Sequence, residues 1–552
     1  ATRIGKDRST LRVDSPSKCN GTAVYTIDVK LPGLLTAVIA WPPSFGATLA
    51  IGREVLKADP VFGLGPSNFH LAFNQFRDTS LNQSLFWQVR FSHGFSFLST
   101  VISTLGIAGV LIFLALVLSG MFLVGRTIFR SESPSPYLWS FGALAVFVFI
   151  EWFLYASNFT ATFLALLSLG LVMAAAQEPR GESSGVSYWR VARRTVLVEG
   201  VAVNFAASLV VVSAAAFCLI GLYALGTAYA AEVLAKRALQ GAAAVPALEH
   251  AIRLNPNDAS FRQLRAEAAL GVVSRLITEA AVRPSQDLSG QFRTEFGNGI
   301  AAVNAAIALE PADPRHWVTL GGLYETVIPF IPGAERAATD AYAKAVGLDP
   351  LDPLLRLARG RSALAAADTV SLQASRSEGE ERNRLDGLYK EFLGRCRQEL
   401  EAAINLKPDL AAAHFLLAQV HLREGNLPQA IRNVEATAVI APGDIGVAFQ
   451  LGFLYYRNGD FVRAEREFQR AIVLDENYSN ARYFLGLIYD RRGDRASALS
   501  EFKKIAALNP DNDEVKRIIA NLSANRRALD GIAPPPEARR DVPIAEQPAR
   551  RR

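Results

Sequence analysis

The apolar positions fall into two regimes that divide the chain. From Gly94 to Gly125 no charged residue interrupts the sequence, and the stretches around Tyr137–Ser157, Phe159–Ala176 and Gly200–Ala231 are nearly as uniform, with Glu151 the lone acid in the second. Runs of this length without charge are what a helix needs to cross the hydrocarbon core. After about residue 235 the apolar residues are instead spaced three and four apart among Arg, Glu, Asp and Lys, the pattern of water-soluble amphipathic helices. The fold class expected is all-α: a polytopic bundle of about four transmembrane helices, at 94–125, 137–157, 159–176 and 200–231, followed by an α-solenoid over 235–525.

The first 93 residues follow neither pattern. LPGLLTAVIAWPPSFG is apolar, but Pro32, Pro42 and Pro43 interrupt it. RSTLRVDS and TAVYTIDVKL alternate as short strands would. Ser44 to Asp59 reads as a helix that must end before Pro60, and DPVFGLGPSNF as a turn leading into a short helix. The tail, 526–552, is rich in Pro and Arg with few large apolar residues, and disorder is expected there.

The second half repeats itself. Gly425, Gly459 and Gly493 are separated by 459 − 425 = 34 and 493 − 459 = 34 residues. Leu417, Leu451 and Leu485 keep the same step, as do Ala430, Ala464 and Ala498, and Pro408, Pro442, Glu476 and Pro510. Small residues at Ala418, Gly452 and Gly486 let paired helices approach, while Phe468 and Phe502 fill the second helix. With Trp317, Leu320, Gly321 and Tyr324 upstream, this spacing resembles the tetratricopeptide repeat. Longer intervals surround Pro256, Pro311 and Pro350, and extra helix or loop is expected near LITEAAVRPSQDLSGQF, TVIPFIPG and DTVSLQASRSEGEERN. A solenoid implies protein or peptide partners. His316, His414 and His421 stand in it without evident metal-ligand spacing.

Charge alters the picture only in orientation. The chain carries a formal charge of +6 with Cys19, Cys218 and Cys396 far apart, so neither a disulfide framework nor a CxxC zinc site is indicated, and no nucleic-acid motif accompanies the basic residues. Arg126 and Arg130 lie after the first span, and Arg180, Arg190, Arg193 and Arg194 before the last. Both loops should be cytoplasmic, with residues 1–93 and the array outside. No signal peptide follows Ala1, and the chain reads as a fragment or a processed product.

The order Pro60-Val61-Phe62-Gly63-Leu64-Gly65, Phe69, Ser92-His93, Leu98, Thr104-Leu105-Gly106 and Gly109 resembles the bacterial O-antigen ligase and polymerase superfamily, over roughly residues 44–125. That resemblance implies a many-span enzyme of a bacterial inner membrane that moves glycan from a polyprenyl-diphosphate carrier outside the cytoplasm, without metal or cofactor. It makes His93 the candidate base, with Arg90, Arg77 and Arg53 as candidate diphosphate ligands. The chemistry is coherent: Arg offers a permanently charged fork to phosphate, and His has a pKa suited to deprotonating a hydroxyl. The sequence has Gly94 after His93, where the family often has Asn. Glycan carrier, membrane lipid and protein partners are the expected ligands. The alternative reading is a membrane-anchored scaffold whose repeats assemble an envelope complex.

Overall fold

The computed structural model describes residues 43–66, 68–84, 87–130, 136–155, 163–164, 167–172, 201–238, 244–283, 287–533 and 544. The two alternating segments before residue 31 and the expected span at 159–176, apart from 163–164 and 167–172, lie outside the described residues.

The front segment folds as α1 (Phe45–Ala58), α2 (Phe69–Phe76) and a 3-10 turn (Thr79–Gln83). Ser44 caps α1, its side chain accepting from Ala47 N, and the helix stops where Pro60 forbids continuation. Ile51, Val55, Phe69, Ala72 and Phe73 form a small core between α1 and α2.

The long helix α3 (Phe97–Arg130) is broken at Gly106, whose φ of 60° and ψ of −158° are not helical. The PVFGLG turn fills the break. Ile107 N donates to Pro60 O (3.0 Å), Ala108 N to Val61 O (3.1 Å), and Leu64 N to Ser103 O (3.3 Å). A Cβ on Gly106 would sit 2.6 Å from Val61 O. The glycines at the heart of the family resemblance thus have a structural cause: they let a turn plug a helix break and satisfy its backbone groups. The part of α3 from Ile107 to Arg126 is by itself about 30 Å long, the thickness of a bilayer core.

α4 (Pro136–Leu154) packs against α3 through Phe113, Val117, Val148, Phe149 and Trp152. α5 runs from Val201 to Ala238. Among the described residues two helices are long and apolar enough to cross a membrane, Phe97–Arg126 and Ala215–Ala238, while Trp139–Leu154 is shorter. Of the four expected spans, those at 94–125 and 200–231 overlap helices of spanning length, that at 137–157 is a shorter apolar helix beside the first, and that at 159–176 lies mostly outside the described residues.

The array follows as α6 (Ala244–Leu254), α7 (Ala259–Val282), α8 (Ser289–Leu309), α9 (Pro314–Thr326), α10 (Ala334–Leu348), α11 (Pro353–Ala374) and α12 (Gly379–Leu406). It continues as α13 (Ala411–Arg423), α14 (Leu427–Ile440), α15 (Ile445–Arg457), α16 (Phe461–Leu474), α17 (Ser479–Arg492), α18 (Arg495–Leu508) and α19 (Asp513–Ser523). Asp258, Asp313, Asp352, Asp444, Asp460 and Asp494 cap the helices that follow them. Two of the irregular stretches are absorbed as helix length, in the pairs α7–α8 and α11–α12, while TVIPFIPG is a turn ending at Gly333. Gly452 abuts Phe468 and Gly486 abuts Phe502, so the small residue of one helix receives the ring of the next. The resulting core joins the last three pairs into one apolar cluster.

Two features depart from expectation. The array begins inside α5: Ala231, Ala235 and Ala238 are buried against Leu248, Ala251 and Phe261, so the end of the apolar helix serves as the first helix of a pair. The tail is also not wholly loose. Ala528 and Ile544 are buried, Ala528 N donates to Asp490 Oδ2 (3.0 Å), and Asn521 Nδ2 donates to Asp530 O (2.8 Å).

Candidate functional site: the seam between front segment and array

Arg77 caps the end of α2, and Arg90 lies beyond Trp87 on the irregular approach to α3. Both reach across to the turn between α10 and α11. Arg77 Nη1 donates to Asp349 Oδ1 (2.7 Å) and to Asn74 O (3.1 Å). Arg90 Nε donates to Asp349 Oδ2 (3.2 Å) and its Nη2 to Asp352 Oδ2 (2.5 Å). The Arg77 and Asp349 side chains are 1 % and 2 % exposed, whereas that of Arg90 is 29 % exposed. Burial pushes the Asp349 carboxyl up and the Arg77 guanidinium down, while each partner's charge opposes that shift. Two guanidiniums against two carboxylates make the seam neutral.

A second contact lies one helix pair along. Asn82 Nδ2 donates to Leu351 O (2.9 Å) and Leu406 O (3.3 Å), and Lys407 Nζ returns a bond to Asn82 O (2.9 Å). The same ammonium sits 4.7 Å from the centroid of the Trp87 ring. The α10–α11 and α12–α13 turns of the array, one helix pair apart, are therefore gripped by one short stretch of the front segment.

The four residues expected to form one phosphate-handling site are thus distributed. Arg77 and Arg90 are brought together, but their charges are answered by Asp349 and Asp352. Arg53 is exposed on α1. His93 is exposed, with Ser92 Oγ 3.1 Å from its Nδ1. Among the described residues no contact joins His93 or Arg53 to the arginine pair. Gly94 is glycine for a steric reason: a Cβ there would lie 2.3 Å from Thr48 Cγ2, in the place where Phe95 N donates to Thr48 Oγ1. The family's Asn has no room at this position.

His316 has the neighbours its sequence context did not reveal. Its Nε2 lies 3.7 Å from Glu310 Oε2 and 3.9 Å from Asp313 Oδ2, and its Nδ1 is 2.8 Å from Gln263 Oε1. Asp313 has other duties: it caps α9 through Arg315 N and takes Arg315 Nη2 at 2.5 Å. Burial holds the His316 imidazole below its usual pKa, and Asp313 and Glu310 pull the other way. His421 packs as expected, buried with Nδ1 3.1 Å from Glu424 Oε2. The Cys396 thiol is pushed up to about 12 by burial.

With that geometry in hand, comparison with known proteins separates the two halves. Residues 391–445 and 449–513 match the family described as tetratricopeptide repeat. The repeats over these residues are tetratricopeptide repeats. No curated protein matches the chain, and nothing supports an O-antigen ligase domain in the first half. Among solved structures, the chain is similar to MamA at 21 % identity, covering 35 % of this chain and 96 % of that one, with a TM-score of 0.26. YrrB, described as a tetratricopeptide protein with an unusual peptide-binding site, is 18 % identical over 38 % of this chain and 94 % of its own, TM-score 0.29. Pseudomonas aeruginosa PilF is 16 % identical over 46 % and 98 %, TM-score 0.30.

Proposed function

We propose that the chain is a membrane-anchored tetratricopeptide scaffold that holds protein partners at a bacterial inner membrane, with the array on the extracytoplasmic side. The observation that carries this reading is the junction at α5. Its apolar part leaves Phe217, Tyr223 and Tyr229 78 %, 75 % and 73 % exposed, a surface suited to lipid, yet its last turns are packed into the first helix pair of the array. An anchor that continues into the solenoid fixes the direction in which the repeats project. The Arg77–Asp349 and Arg90–Asp352 pairs add a second point of attachment, which a merely tethered array would not need.

The glycan-transfer reading is not carried forward, because two of its three arginines, Arg77 and Arg90, are committed to the array rather than presented to an anion. Two measurements test the scaffold. Deleting residues 244–533 should leave the chain in the membrane but remove the proteins that co-purify with it. A glycan-transfer defect in His93→Ala, with that set of proteins unchanged, would overturn the proposal. For the side of the membrane, a cysteine placed at exposed Ser375 should react with an impermeant maleimide in intact cells with opened outer membranes; protection until lysis would place the array inside.

A further inference from the structure

One buried polar contact serves no purpose in the repeat framework. Asn480, in the first turn of α17, is 1 % exposed, and its carboxamide is paired with the backbone of Ile544 at both ends. Asn480 Nδ2 donates to Ile544 O (2.8 Å), and Ile544 N donates to Asn480 Oδ1 (3.0 Å). Such a pair of bonds reads the main chain of one residue, independent of that residue's own side chain. The 34-residue step puts Ala412 and Gly446 at the equivalent positions of the two preceding repeats. The helix pairs therefore pack without a carboxamide there.

The surroundings form a receptor face. Asn480, Tyr483, Leu487 and Asp490 are spaced three, four and three apart and so share one side of α17. The Ile544 side chain is buried in the apolar cluster that contains Tyr483 and Leu487. Asp490 receives Ala528 N, and α19 contributes Glu514, which accepts from the Tyr483 hydroxyl (2.6 Å).

We infer that this face of α17 is a binding site for an extended peptide bearing an aliphatic side chain, and that the chain's own tail at Ile544 occupies it. The inference rests on the scaffold reading for its purpose, since a partner segment of the same chemistry must displace the tail. Occupancy by the tail lowers a competitor's apparent affinity by the fraction of time the face is open.

The experiment uses a fluorescent nine-residue probe, RDVPIAEQP (residues 540–548), and anisotropy against the chain in detergent micelles. A chain ending at Ala533 should bind the probe at least tenfold more tightly than the full chain. Asn480→Ala in that shortened chain should weaken binding tenfold or more, with the helical circular dichroism unchanged. A probe carrying Ile544→Asp, which leaves the protein untouched, should lose binding to the same extent. Equal binding by full and shortened chains, or tight binding of the Asp probe, would overturn the inference. So would a concentration-dependent doubling of mass that vanishes on tail removal, because the tail would then belong to a second copy. Failure of the scaffold reading appears elsewhere, as membrane partners unaffected by deletion of the array while probe binding persists.

Discussion

Removing the Asp349 carboxylate should unfasten the front segment from the array. In Asp349→Ala, Arg77 Nη1 keeps only Asn74 O, and the guanidinium's Nε and Nη2 are already buried without a protein partner. Stranding one member of a buried ion pair costs about 3–5 kcal/mol. Asp352→Asn is the internal control: it keeps a side-chain oxygen to cap α11 at Leu354 N but removes the charge facing Arg90, which is part-exposed and retains Asp349, so about 1 kcal/mol or less is expected. A chain with several helical units does not unfold in one step, so local opening is the right observable. Amide hydrogen exchange over residues 77–84 and 349–352 should lose protection by about a hundredfold to a few thousandfold in Asp349→Ala, at about 1.4 kcal/mol per decade, and by less than about tenfold in Asp352→Asn. Helices α13–α18 should be unchanged in both. Equal, small effects of the two substitutions would show that the seam is solvated and that the buried-pair reasoning is wrong.

Three further expectations concern other parts of the chain. Gly106→Ala places a methyl against Val61 O at positive φ, so the PVFGLG turn should be expelled and trypsin should cut near Arg53 or Lys57 faster than in the parent; unchanged digestion would refute the plug. Phe468→Ala leaves a cavity against Gly452 in the last repeats and should cost roughly 3–5 kcal/mol, seen as early melting of α15–α18 by hydrogen exchange, with the front segment unaffected. His316 has a folded pKa below its unfolded value of 6.5, so the unfolded chain binds its proton first as pH falls. Stability should therefore be full above about pH 6.5 and decline below it, by at most about 1.4 kcal/mol per pH unit, levelling off at the folded pKa. His316→Gln should flatten that decline in urea unfolding of the array region, and an identical slope in both would exclude His316 as its source.

The repeats were legible from sequence because their cause is local. A 34-residue step of glycines, small residues and rings encodes one helix pair, and stacking copies of it needs no contact that the period does not already specify. The helix stop before Pro60 was legible for the same reason. Apolar run length likewise marked α3 and α5, while at 137–157 the helix is shorter than the apolar run, because hydropathy measures composition and not where a helix ends.

What sequence could not supply were the pairings between distant parts. Arg77 and Asp349 are 272 positions apart, and Asn480 and Ile544 are 64 apart. Neither pair shares a period, a motif or a spacing. Arg77 and Arg90 read alone are anion ligands, and only the packing of the front segment on the α10–α11 turn turns them into one half of a clamp. The physical reason is desolvation: a charge in solution is available to any counter-ion, but one buried in the fold is held by the partner that entered with it. Chain position determined which helices form; tertiary burial decided which charges remained free.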